Sequence, residues 1–229
     1  MQNKKSELKN KNFFSENNTY KSIQGDLATY KLISLTANRE TERSKRLLDI
    51  GNGGVFIYPT SHIPDVHACD IFVEKDFEQR YPNVRWHCMS ALDLKFEKPF
   101  DSIIAINTLH HVNGDSVSGC YKNLNSIMAE VHKSLEMGGK FICLESTVPF
   151  WFLVPYKIFY KILIKIWPLQ HPPTFQFHHT EVLKAADNVG LKLKEFCWIP
   201  KISDVLLLGI SVPPWFSPIK MGKFIFTKD

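Results

Sequence analysis

The chain has 229 residues, 44% hydrophobic and 22% charged, which fits a single globular domain and excludes a disordered polypeptide. With 28 basic and 23 acidic side chains the formal charge is +5, too small by itself to imply a nucleic-acid partner. Five cysteines (69, 88, 120, 143 and 197) form no Cys-x-x-Cys pair and leave an odd count. Free thiols in a reducing, cytoplasmic setting are therefore expected.

Residues 1–21 read as a flexible basic tail, because Lys4, Lys5, Lys9 and Lys11 have no apolar run behind them. Residues 22–229 are then one domain, opened by a helix over Ser22–Arg39. Strand patterns follow at Arg46–Ile50, Val66–Phe72, Val84–Met89, Phe100–Asn107 and Lys140–Glu145, and the last two at Leu191–Ile199 and Lys223–Thr227. Helical spacing of Leu124, Ile127, Met128, Val131 and Leu135 predicts a helix over Gly119–Glu136, with Gly138 as its C-cap. Thr180 reads as the N-cap of another helix, Thr180–Asn188. The alternation predicts an α/β fold.

Residues 148–179 stand apart as an aromatic, helical insert after the fifth strand. Too many prolines and lysines interrupt it for a membrane span, which needs about 20 mostly apolar residues. Lys157, Lys161 and Lys165 recur every four residues, so a helix would align them opposite Ile158, Phe159, Ile162, Leu163 and Ile166. A core helix with a solvated lysine edge, a substrate lid, and weak contact with a membrane surface through 157–165 are all compatible with that pattern.

The most informative segment is Leu47-Leu48-Asp49-Ile50-Gly51-Asn52-Gly53-Gly54. An apolar strand runs into an acid and then into glycines, which let a backbone turn tightly and approach a ligand closely. Asp70 ends the next strand, where a carboxylate can accept two hydrogen bonds from a ribose diol. A nicotinamide dinucleotide site would read Gly-x-Gly-x-x-Gly, but position 56 is Phe.

From 45 to 146 the chain resembles the class I methyltransferases that depend on S-adenosylmethionine (SAM), of the small-molecule type with a Leu-His-His motif. LLDIGNGG, ACDIF, SALDLKF, FDSIIAINTLHHV and EVHKSLEMGGKFICLES stand in that family's order. The resemblance implies a Rossmann-like, seven-stranded, mostly parallel sheet with helices on both faces and an antiparallel last strand. It implies a SAM site made by Asp49, Gly51, Asn52, Gly53, Asp70, Ile71, Ser90, Ala91, Leu92, Ile106 and Asn107. S-adenosylhomocysteine (SAH) would be the product. Three departures stand out: Val55 in place of the third glycine, Ser90 where an Asp is common (Asp93 could compensate), and Met137 before Gly138-Gly139.

The implied reaction moves a methyl group to an O, N or C atom of a small-molecule acceptor. His110 and His111, past the fourth strand, are candidates for a general base. Trp151, Tyr156, His178 and His179 are candidates for an apolar or aromatic acceptor site. The histidines carry no metal-ligand spacing, so no metal is expected. The alternatives are an RNA methyltransferase and a SAM binder without methyl transfer. Against the first, Asn107-Thr108-Leu109-His110 lacks the prolines of the amino-methylating enzymes that act on nucleic acid. Oligomeric state is not legible.

Overall fold

The computed structural model describes residues 27–166, 174–207 and 210–229. Five parallel strands, β1 (Arg46–Ile50), β2 (Asp65–Asp70), β3 (Val84–Cys88), β4 (Phe100–Ile106) and β5 (Leu135–Thr147), share one sheet with β6 (Leu191–Ile199) and β9 (Lys220–Lys228). Their order is β3-β2-β1-β4-β5-β9-β6, and β9 runs antiparallel to both its neighbours. β7 (Val205–Leu207) and β8 (Ile210–Val212) form a separate hairpin. The helices are α1 (Ala28–Thr41), α2 (Phe77–Arg80), α3 (Val117–Ser134), α4 (Phe150–Ile166) and α5 (His179–Asp187), with a 3-10 turn at Leu109–His111. The sheet is the seven-stranded, Rossmann-like arrangement expected from the sequence, down to the reversed last strand.

Because successive strand residues point to opposite faces, each strand feeds two cores. Leu48, Ile50, Ile103, Ala105, Phe141 and Cys143 pack with Leu124, Ile127 and Val131 of α3 and with Leu153 and Tyr160 of α4. Leu47, Ile104, Ile142 and Leu144 pack on the other face with Ile33 and Ala37 of α1. Ser116 caps α3, its Oγ accepting from Gly119 N at 3.1 Å.

Several expected boundaries move. The long helix runs from Val117 to Ser134, so Gly138 does not cap it. Its φ of +76° instead lies inside β5, where the pairing with β4 jumps from Phe100–Leu135 to Ser102–Lys140. The cap of α5 is His178 rather than Thr180, because the ring reaches the Thr180 N–H while Glu181 returns to the His178 backbone. The first helix begins at Ala28 and runs on to Thr41, and the expected positions 22–26 lie outside the described residues.

The chain steps outward from β1 to β3, then returns to place β4 on the other side of β1. This reversal opens a crevice at the carboxyl ends of β1 and β4, the place where open α/β sheets take ligands.

Candidate functional site

The turn after β1 is shaped by its glycines. Gly51 and Gly53 have φ of +69° and +65°, a region that disfavours side chains. A Cβ on Gly51 would lie 2.3 Å from the methyl of Thr108, whose hydroxyl donates to Ile50 O at 3.0 Å. Thr108 thus ties the loop after β4 to the end of β1. Gly53 is different, since nothing lies within 4 Å of where its Cβ would stand. That open side leaves the backbone approachable.

Two carboxylates hold this turn. Asp70, at the end of β2, accepts from Gly53 N at 2.9 Å. Asp49 is buried beneath the turn and accepts from Asn52 Nδ2 at 2.9 Å and Tyr58 OH at 2.7 Å. Burial pushes the Asp49 carboxyl up to about 6, against the pull of its two donors, and the neighbouring Asp70 adds to the rise. Tyr58 is a site residue that no sequence motif marks.

Asn107, just past β4, has φ of +52°, a left-handed conformation that Asn tolerates better than most side chains. Its N–H donates to Leu144 O at 2.8 Å, while Oδ1 is buried without a hydrogen-bond partner among the described residues. The Oδ1 of Asn52 is in the same state. Two buried acceptors without donors, on the two loops that border the crevice, are what a polar ligand would complete.

The third wall follows β3. Ser90 opens a turn, its Oγ accepting from Leu92 N at 3.3 Å and its carbonyl from Asp93 N at 3.1 Å. Ala91 is buried, Leu92 and Ile71 are half-buried, and Asp93 is exposed and paired with Lys95 at 2.8 Å. Ile106, also half-buried, ends β4.

At the end of β5 lies a polar network. His110 Nδ1 donates to Glu145 Oε1 at 2.5 Å, and Glu145 also accepts from Leu109 N at 2.7 Å and Ser146 N at 2.8 Å. Ser146 Oγ lies 3.1 Å from His110 Nδ1 and donates to Gln176 Oε1 at 3.0 Å. Glu145 and His110 are buried, whereas His111 is half-buried with its ring 4.2 Å from that of His110. The sequence points to the two histidines. It does not point to Glu145 as the partner of His110, or to Gln176 as the partner of Ser146, because those contacts join residues 35 and 30 positions apart.

The four candidate acceptor residues have different surroundings. Tyr156 stacks on Phe175 with centroids 5.5 Å apart and donates to Thr174 O. His178 is engaged as the cap of α5. The His179 ring stacks on Phe196 at 5.4 Å. Trp151 is exposed on the first turn of α4. Among the described residues no cluster of metal-ligating side chains occurs.

The methyltransferase domain family model matches residues 48–143, from the middle of β1 into β5. Among curated proteins no sequence matches. The fold is similar to that of NodS, an N-methyltransferase from Bradyrhizobium japonicum WM9 crystallised with SAH. That match has a TM-score of 0.59 at 12% identity over 89% of this chain and 90% of that one. It is also similar to the 1,6-didemethyltoxoflavin-N1-methyltransferase of Burkholderia thailandensis, with TM-score 0.62 and 16% identity over 96% and 86% of the two chains. A geranyl diphosphate methyltransferase in complex with SAM matches with TM-score 0.61 and 13% identity over 87% and 84%. The span 48–143, which holds the glycine turn, Asp70, Asn107 and His110, is thus the part of the chain that matches the methyltransferase domain model, and the fold around it is the one these SAM-dependent enzymes share.

Proposed function

We propose that this chain methylates an apolar or aromatic small molecule and belongs to the Leu-His-His type of the family. SAM supplies a methyl group already activated on a sulfonium. The chain's residues fit such a cofactor. Asp70 and the open backbone at Gly53 would face its ribose, and Asn52 and Asn107 offer acceptors to its polar groups. Ser90, Ala91 and Leu92, with Ile71, would border the adenine. Asp49 and Asp70 place negative charge under a site meant for a cation, which favours binding by the ionised acids.

The protein's remaining tasks are to orient the acceptor, exclude water and, where the acceptor atom carries a proton, remove it. The two histidines divide these tasks. His110 is buried and committed to Glu145, so it fixes the loop 107–111 as a positioning residue. His111, beside it and half-buried, is the candidate base. The aromatic surroundings of Tyr156, Phe152 and Phe175 support an apolar acceptor. Trp151, His178 and His179 would contact the acceptor only at the rim.

The observation that carries this reading is that the glycine turn with Asp70 and the His110–Glu145 network stand at one edge of one sheet. The test is to incubate the protein with SAM and a panel of phenols, aromatic amines and isoprenoids, and to measure SAH. Acceptor-dependent release is expected, with His111→Ala lowering turnover at least tenfold while SAH affinity stays near wild type. SAH binding without release on any acceptor would favour a binder without transfer activity.

A further inference from the structure

The helix α4 buries only a narrow stripe. Leu153 and Tyr160 are in the core, while Phe150, Trp151, Val154, Ile158, Phe159 and Ile162 are between 41% and 70% exposed. Scattered exposed apolar side chains need no explanation, but six on one helix face form a patch. Among the described residues no helix is long and apolar enough to cross a membrane.

Along this segment of the chain the charge has one sign. No Asp or Glu occurs between Glu145 and Glu181. Lys157 is satisfied within the fold, its Nζ 2.7 Å from Glu181 and 4.8 Å from the Tyr121 ring centroid. This corrects the expectation of three aligned solvated lysines: the ones that remain exposed are Lys161 and Lys165. At about 100° per residue they border the stripe of Trp151, Ile158 and Ile162 on one side. A second exposed aromatic pair, Trp215 and Phe216, sits in the segment that enters β9 at Lys220. Lys220 pairs with Thr147 at the end of β5, three residues before α4 begins, so both groups leave the same sheet edge.

We propose that the outer face of α4 docks on an anionic lipid bilayer, lying in its interface with Lys161 and Lys165 toward the headgroups. Large apolar side chains, a tryptophan and flanking lysines with no acid are the chemistry of an interfacial helix. The surface potential of anionic lipid complements the two cations. This reading does not depend on the identity of the methyl acceptor.

Co-sedimentation of the full chain with phosphatidylglycerol–phosphatidylcholine vesicles, and with phosphatidylcholine alone, tests it. The chain should pellet with the first, roughly tenfold less with the second, and with the first less as salt rises. Ile158→Asp with Ile162→Asp should lower binding at least tenfold while SAH affinity is unchanged. Lys161→Gln with Lys165→Gln should bring anionic binding down to the neutral-vesicle value. The proposal is overturned if the chain stays in the supernatant, or if the aspartate pair pellets like wild type. It also falls if light scattering shows a dimer that the aspartate pair dissociates while vesicles bind nothing, since a second copy then covers the face.

Discussion

The turn at 51–54 and the helix α4 rise from the same edge of one sheet, but they are built by different means. The turn is held by backbone: positive φ at Gly51 and Gly53, a Gly53 N–H on Asp70, and Thr108 filling the space a Cβ would need. The region around α4 is held by side chains, with Tyr156, Tyr160, Phe175 and Phe177 stacked on one another and the opposite helix face left bare. A site made of backbone tolerates few residues, so it fits a constant ligand. A site made of stacked rings accepts many combinations of volume, so it suits a variable acceptor. Under the proposed function, the cofactor would take the first region and the acceptor the second.

The sharpest way to break the comparison is at Glu145, which ties the histidine loop to the end of β5. Glu145→Ala leaves His110 and two backbone N–H groups without their buried acceptor, and should cost about 3–5 kcal/mol in urea denaturation. Glu145→Gln keeps an acceptor and should cost less. Equal, small losses for both would mean the network does not tie the histidine loop to β5.

Asp49 gives the next largest effect, and its sign is opposite. Its folded carboxyl lies at about 6 against an ordinary 3.8, so between those values the folded chain holds more protons than the unfolded one. Stability therefore falls as pH rises through that window, and the full penalty stands above about pH 6. Two pH units correspond to at most about 3 kcal/mol. Asp49→Asn should then stabilise the protein by about 1–2 kcal/mol at pH 7.5, an advantage that shrinks toward pH 4, while weakening SAM binding. Wild-type affinity for SAM should itself drop as pH falls below about 6, which calorimetry at several pH values reads directly. Denaturation curves whose difference ignores pH would remove the buried charge from the account.

The smallest effect belongs to the outer face of α4. Ile158 is 70% exposed, so Ile158→Ser should change stability by no more than about 0.5 kcal/mol. A loss several times larger would show that this face is covered in solution.

What could be read from the sequence follows the same division. Gly51, Gly53, Asp49 and Asp70 were legible because a tight turn restricts its residues and their spacing, and five strands of the parallel sheet announced themselves as apolar runs between turn signals. Glu145 and Gln176 were not, since their roles exist only once β4, β5 and the segment before α5 come together. Tyr58 was hidden for the same reason. The lysine spacing in α4 was legible as a helix, but the ion pair that removes Lys157 from the surface depends on α5 packing beside it. Thr180 is the ordinary cap type in sequence, and only the ring's reach to the Thr180 N–H gives that role to His178.

Calorimetric titration of SAH into wild-type protein and into Asp70→Ala tests the central claim most directly. Saturable binding at one site per chain is expected, weakened by roughly tenfold to a hundredfold in the variant, the cost of losing charge-assisted hydrogen bonds at about 1–3 kcal/mol. No heat in the wild type, or an unchanged affinity in Asp70→Ala, would contradict a cofactor held over the turn after β1.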